Sequence, residues 1–455
     1  MEETHLNLFR RPSGLFNICL ALFAIVFANN LVSQTIQLSI QLPKGMNAPL
    51  KVSVNEGIFQ ERGKQYFVEN QGSDLLNLEL EADSLAQITI AYGDLYREFF
   101  ITSRQMQLEL SSSTWVLKNK DGLNAQIDSI NQAVNTGVLN FTRSGGKAMQ
   151  SKEMIQLSDS LQSIYRTTSD SFLAPFYLYA AADLLLISQK FARKAIQVRF
   201  FRDRDILPAH PAWKFSFISL FEGEALKQMH NEQFSEAIKT ADWLKLRSVF
   251  AQDSSIANSN LADCVALLCS YELIFKQEYG FATVLPLLEN GLKYVRQEDL
   301  LAEIQAIIDF HRPRIRGTEF PDIEFQWSAN ITKKALSDFK SKPLYVMILP
   351  NAGESSQLIM REALALKKKF GEEVGFLVLL PAQQKDLISE FESRYPGLEF
   401  GLTSWSDAGL DKLLRNPDES HFLLLNKGLI TWQFPAEAPE TGIGTTISSM
   451  LIGNR

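Results

Sequence analysis

The chain has 455 residues, 45% hydrophobic and 21% charged, with a net charge of −7. That balance suits a globular protein of two to four domains at roughly 100–200 residues each, and it excludes a fibrous or low-complexity chain. Mild acidity without a long basic run argues against nucleic acid as the main partner.

Arg10 and Arg11 precede an apolar run from Leu15 to Ala28, which gives way to polar Asn29 and Asn30. A basic start, a short apolar centre and a small residue at its end form the pattern of a secretory signal over residues 1–34, cut after Ala28 or nearer Gln34. The alternative is an uncleaved anchor, but the run is shorter than the roughly 20 residues a spanning helix needs. Cys19 sits inside the run, after Asn17 and Ile18, rather than after small residues at its end, which argues against a lipoprotein. The expected location is the periplasm or cell envelope.

Residues 35–118 read as a β-sandwich-like domain. Ile36, Leu38, Ile40 and Leu42 alternate with polar residues, as do Leu76, Leu78 and Leu80, and then Met106, Leu108 and Leu110. Period-two alternation marks half-buried strands. Turn residues at Pro43–Gly45, Asn55–Gly57, Gln71–Gly72 and Tyr92–Asp94 separate them.

Residues 119–316 switch to helical spacing, at Ile127, Ile130 and Val134, then across the apolar stretch Phe172–Phe191. Leu261–Phe275, Leu285–Tyr294 and Leu300–His311 follow. Phe200–Pro211, rich in charge and proline, reads as a linker between helical hairpins, with Arg202, Asp203, Arg204 and Asp205 as a solvated run. Aromatic residues at Phe172–Tyr179 and at Phe215, Phe217 and Phe221 read as core. No fixed repeat period emerges. Cys264 and Cys269 fall in one predicted helix, about 140° apart around its axis. A local disulfide would need helix distortion, so they read as two buried apolar residues.

From Gly317 the order becomes α/β. Leu344–Leu349, after Pro343, is an apolar strand. Gln357–Phe370 is an amphipathic helix with Lys367, Lys368 and Lys369 near its negative end. Val374–Leu380 is a second strand and Lys385–Tyr395 a second helix. Phe422–Leu425 and Ile430–Phe434 flank a hairpin signal at Asn426, Lys427 and Gly428. The crossovers imply parallel strands.

That order resembles the thioredoxin-like domain of the TlpA/ResA type of envelope disulfide reductases. Gly317, Pro321, Asp322 and Phe325 match the family's lead segment, and Leu336-Ser337-Asp338-Phe339-Lys340 its approach to the first core strand. Phe422–Gly428 resembles its later strand and turn. Phe201–Trp213 resembles a segment of the helical insertion in the larger Bacteroidetes-type members. The resemblance implies a multidomain α/β chain: an N-terminal β-sandwich-like domain, a central helical domain and a C-terminal thioredoxin-like domain over 317–455.

Two departures bear on function. The family carries Trp-Cys-x-x-Cys at the start of the helix after the first strand, where a thiolate and a resolving thiol exchange disulfides. The matching positions read Ala352, then Gly353, Glu354, Ser355 and Ser356. Neither thiol is present. The family's cis-proline site aligns with Asp418-Glu419-Ser420-His421, with Pro417 just before it. Disulfide reductase activity is therefore not expected.

Ser355 and Ser356 read as helix caps. The alternative, an anion held at this helix start, is opposed by Glu354. His210, His230, His311 and His421 show no metal-ligand spacing. No cofactor motif appears: Gly442-Ile443-Gly444 has Ile447 where a dinucleotide site needs glycine. Asn140-Phe141-Thr142 fits the glycosylation triplet, a pattern frequent by chance. The expected function is a non-catalytic envelope module that binds another protein or peptide. Its alternatives are a thiol-independent enzyme with a site on the helical domain, and an oxidoreductase using Cys264 and Cys269.

Overall fold

The structure is a computed structural model that describes residues 34–43, 50–59, 63–68, 74–82, 86–92, 95–111, 114–118, 122–145, 148–276, 278–327, 332–403, 419–431, 436 and 438–453. The signal-like stretch, Cys19 and Pro417 lie outside the described residues. The chain forms two compact units. One holds the described residues up to Glu56, those from Gly63 to Leu139, and Thr168–Phe176. The other holds Gly57–Phe59, Asn140–Thr167 and the described chain from Tyr177 onward.

In the first unit the alternating segments become β1 (Gln34–Gln41), β2 (Leu50–Asn55), β3 (Lys64–Val68), β4 (Leu75–Ala82), β5 (Gln87–Tyr92), β6 (Leu95–Phe100), β7 (Gln105–Ser111) and β8 (Thr114–Leu117). They form two four-stranded sheets, β4-β1-β7-β8 and β3-β2-β5-β6. Their inward residues, among them Ile36, Ile40, Val52, Ile88, Leu108 and Trp115, make one core cluster. Two sheets burying one face each against a shared core is a sandwich. Helix α1 (Gly122–Arg143) is tied to the end of β6 by a reciprocal pair. Asn124 accepts the Phe100 N–H at 2.8 Å and donates to the Phe100 carbonyl at 3.0 Å.

The second unit holds helices α2 (Ala148–Thr167), α3 (Leu173–Ile187) from Tyr177 onward, α4 (Arg193–Gln197), α5 (Pro211–Phe221), α6 (Glu224–Gln228), α7 (Glu232–Lys239), α8 (Trp243–Ala251), α9 (Ser259–Ile274), α10 (Gly280–Tyr294) and α11 (Glu298–His311). Phe200–Pro211 is a linker only from Asp203 to His210, which joins the helices on either side. Val198–Arg202 continues α4 as a π-helical turn, and Phe200 and Phe201 are fully buried. Phe201 packs its ring 5.2 Å from Tyr179 and 5.5 Å from Phe221, centroid to centroid. The flanking arginines disguise this in the sequence, since long charged side chains keep their heads in water while the stem covers apolar surface. Arg199 donates to Gln162, and Arg202 pairs with exposed Asp203.

The C-terminal part comprises β9 (Glu324–Trp327), β10 (Lys333–Ala335), β11 (Leu344–Ile348), α12 (Glu354–Phe370), β12 (Gly375–Pro381), α13 (Ile388–Arg394), β13 (Glu399–Thr403), β14 (His421–Asn426), β15 (Leu429–Ile430) and α14 (Ile443–Gly453). These strands make one seven-stranded sheet, β10-β9-β13-β12-β11-β14-β15. The pairs β11–β12 and β12–β13 are parallel, and β14 runs antiparallel to β11. The β11-α12-β12 unit and the β14-β15-α14 unit, with strand order β12-β11-β14-β15, form a thioredoxin-like fold. Strand β13 extends it beside β12. Lys427 and Gly428 both take positive φ, 54° and 83°, as a two-residue hairpin turn requires. The described part of this hairpin's second strand is Leu429–Ile430, and residues 432–435 of the expected strand Ile430–Phe434 lie outside the described set.

Both faces of the central strands β11, β12 and β14 are buried, which is why they read as continuous apolar runs. Tyr345, Met347 and Leu349 face Met360, Ala363, Phe391, Ile443 and Ile447 of the helices. Leu344, Val346 and Ile348 face Ile323, Phe325 and Leu336 of the lead segment. Gly401, on β13, is closely packed. A Cβ there would lie 2.4 Å from the Phe325 ring and 2.9 Å from Leu379. Gly401→Ala is therefore expected to cost about 1–3 kcal/mol through overpacking, read as a lower urea midpoint at unchanged slope.

Candidate functional site

The chain leaves β11 through Leu349 and Pro350 and turns at Asn351–Gly353 into α12. Asn351 Oδ1 accepts the Gly353 N–H at 2.8 Å. Gly353 is the N-cap, with extended backbone at φ −66° and ψ −179°, and no side chain caps the helix. The expectation that Ser355 and Ser356 would cap it is thus incorrect. The polar first turn Glu354-Ser355-Ser356 is already helical, which places both serines too late to serve.

The four singled-out positions separate into two kinds. Gly353, Glu354 and Ser355 are exposed at the helix start. Ser356 is only 1% exposed, and its hydroxyl has no hydrogen-bond partner. Ala352, just before them, is buried in the core between β11 and the helices. A serine nucleophile needs a base within hydrogen-bond reach to be activated, and Ser356 Oγ has none. Glu354 suits the positive helix end but sets negative charge where an anion would dock.

Gln357 secures the turn. Its amide donates to the Ala352 carbonyl at 3.2 Å, and its Oε1 accepts from Arg394 of α13 at 3.0 Å. Arg394 also pairs with Glu390 at 2.7 Å, and the Tyr395 hydroxyl donates to the Gln357 carbonyl at 3.4 Å. His421, opposite Ile348 in the sheet, and Thr403, at the end of β13, are buried at the same end.

The cysteines lie elsewhere. Cys264 and Cys269 are free and buried on α9, at 1% and 0% exposure. Burial pushes both thiols well above their usual range, aided by Asp263 beside Cys264 and by Glu272 beside Cys269. Thiolate is the reactive form, so both are poor nucleophiles in the folded state.

The lead segment and the Leu336–Lys340 motif meet at the opposite end of the sheet, around an open cleft of about 340 Å³. Asp322 Oδ1 accepts the Ser337 N–H at 2.9 Å, Asp338 accepts the Ala335 N–H at 2.9 Å, and Lys340 pairs with Glu319 at 3.0 Å. These residues shape the 3₁₀ turn that delivers the chain into β11.

Sequence reasoning missed the buried carboxyl of Asp183 and its hydroxyl partner, Ser216. Asp183 on α3 has its carboxyl pushed up to about 7 by burial, against a smaller lowering by the Ser216 hydroxyl. The two side chains are 2.6 Å apart. The available signal was a lone charge in the otherwise apolar helix Leu173–Ile187. Among the described residues no group of His, Cys, Asp or Glu is placed to hold a metal ion, and no helix is long and apolar enough to cross a membrane.

No family model and no curated protein matches the chain. Several solved structures do. A thioredoxin-like protein from Bacteroides caccae is 12% identical, over 58% of this chain and 93% of its own, at a TM-score of 0.36. The thioredoxin domain of a thiol-disulfide oxidoreductase from Bacteroides vulgatus is 17% identical, over 30% of this chain and 97% of its own, at 0.26. A thiol peroxidase from Chromobacterium violaceum is 12% identical, over 31% of this chain and 87% of its own, at 0.26.

Proposed function

We propose that the chain is an exported envelope protein whose thioredoxin-like domain has an emptied redox site and serves as a non-catalytic module for binding a protein or peptide. One observation carries this reading. Where a dithiol would sit at the start of α12 there are Gly353 and a buried, unpartnered Ser356, while Cys264 and Cys269 are sealed inside α9. A hydroxyl neither ionises near neutral pH nor forms a disulfide, so the positions cannot carry thiol exchange. The basic and apolar start of the chain supports export.

The test is insulin reduction with dithiothreitol, run beside an active thioredoxin. The expected rate equals the blank without protein. A thiol reagent should label Cys264 and Cys269 only after denaturation. A rate above the blank that disappears when Cys264 and Cys269 are replaced would overturn the reading.

A further inference from the structure

The chain after α4 carries Arg199, Arg202 and Arg204, and uses them differently. Arg199 donates to Gln162 at 2.6 Å and lies 3.7 Å from Asp159. Arg202 pairs with Asp203 at 2.6 Å. Arg204 is part-buried and has no carboxylate partner among the described residues. Its Nη1 donates to the Tyr165 hydroxyl at 3.2 Å and its Nε to the Arg199 carbonyl at 3.4 Å. Its Cζ lies 5.5 Å from the centroid of the Tyr165 ring. Tyr179 of α3 stands in the field of the same groups, Arg204, Tyr165 and Asp205. Its side chain is 1% exposed and packs 5.2 Å from Phe201, yet its hydroxyl makes no hydrogen bond among the described residues.

A buried hydroxyl left without a partner costs free energy. Burial holds the Tyr179 phenol well above its usual range, against a smaller lowering by Arg204, so the group stays a proton donor. The Tyr165 oxygen accepts from Arg204, which leaves its own proton to give. Arg204 Nη2 and both phenol O–H groups are thus donors with no acceptor among the described residues. The backbone that carries the arginines takes a π-helical turn over Val198–Arg202, a geometry frequent at functional sites. We propose that Arg204, Tyr165 and Tyr179 form a binding site for a small organic carboxylate. A set of donors calls for an oxyanion, and the planar guanidinium matches a carboxylate. Charge selects a monoanion. Asp159 and Asp203 already offset Arg199 and Arg202, and Asp205 beside Tyr179 opposes a second negative charge. The site lies on the helical part of the chain and does not depend on the redox reading.

The probe is benzoate, titrated into the full chain by calorimetry beside inorganic phosphate. Benzoate is expected to bind with a Kd of about 1 mM or tighter, and phosphate roughly tenfold more weakly. Arg204→Gln should weaken benzoate roughly tenfold or more, since a charge-assisted hydrogen bond is lost. Tyr179→Phe removes only an unbonded hydroxyl and keeps the ring packing, and should weaken benzoate about threefold or more. No benzoate binding up to about 10 mM overturns the proposal, as does phosphate bound as tightly as benzoate, or an affinity unchanged in both variants. Should Arg204→Gln fail to fold, Tyr179→Phe decides alone: a loss of about threefold supports the site, and an unchanged affinity overturns it.

Discussion

Gly353→Cys/Ser356→Cys is expected to form an intramolecular disulfide under mild oxidant and to reduce insulin above the blank, whereas the unmodified chain is expected to do neither. The backbone already presents the two positions as required. Gly353 is the N-cap of a 17-residue helix and its φ of −66° is open to any residue; Ser356 lies three residues on, turned into the protein. A thiol at the N-cap gains from the helix dipole, which lowers its pKa, although Glu354 beside it works the other way. The new Cβ at position 353 would meet only Asn351 Oδ1, at 2.9 Å, the end of an exposed side chain that can rotate away. A thiol at position 356 replaces a buried hydroxyl that has no partner, and a thiol is the weaker hydrogen-bonding group, so the exchange should not destabilise the fold. The rate should stay below that of an active thioredoxin, because Ala352 stands where a Trp-Cys-x-x-Cys motif has tryptophan. Mass spectrometry of the alkylated protein reads the disulfide directly. Two alkylated cysteines at positions 353 and 356 after oxidant would mean that the start of α12 is not the place of the lost dithiol, and the assignment of Gly353–Ser356 would fall.

Much of the C-terminal domain was legible because its signals are local. The run Leu344–Leu349 marks a strand buried on both faces, and Asn426-Lys427-Gly428 marks a hairpin whose turn needs two positive φ values. The freedom and burial of Cys264 and Cys269 also followed from spacing on one helix. The start of α12 was read three residues late, because a polar first turn carries no apolar period. Phe200 and Phe201 were hidden between arginines. The binding of Gly57–Phe59 by Lys214 and Glu303 joins residues 157 and 245 positions apart, and nothing in either local pattern announces it. A buried charge is written into a sequence as one anomalous letter in an apolar helix; its partner is set by tertiary packing alone.

Asp183 is such a letter, and it makes stability depend on pH. Its carboxyl rises to about 7 in the folded chain, chiefly because burial disfavours the charged form. In the unfolded chain it returns to roughly 3.9. Between those values the folded state holds a proton that the unfolded state has released, so the contribution is fully present below about pH 4 and is lost as pH rises through 7. Local geometry agrees with the protonated form. The Ser216 hydroxyl lies 2.6 Å from Asp183 Oδ1 and 3.2 Å from the Tyr179 carbonyl, so a protonated Asp183 can donate to Ser216 while Ser216 donates onward to Tyr179. At 1.36 kcal/mol per unit the shift bounds the effect at about 4 kcal/mol, and since Asp183 is only part-buried as a residue we expect about 2 kcal/mol after solvent screening. Asp183→Asn stays neutral at every pH. It should match wild type within about 1 kcal/mol at pH 4.5, where only a hydrogen-bond geometry changes, and exceed it by about 2 kcal/mol at pH 8.5. Urea unfolding of both proteins across that range measures the difference. A wild-type advantage that is the same at both ends would show that Asp183 is charged in the folded chain.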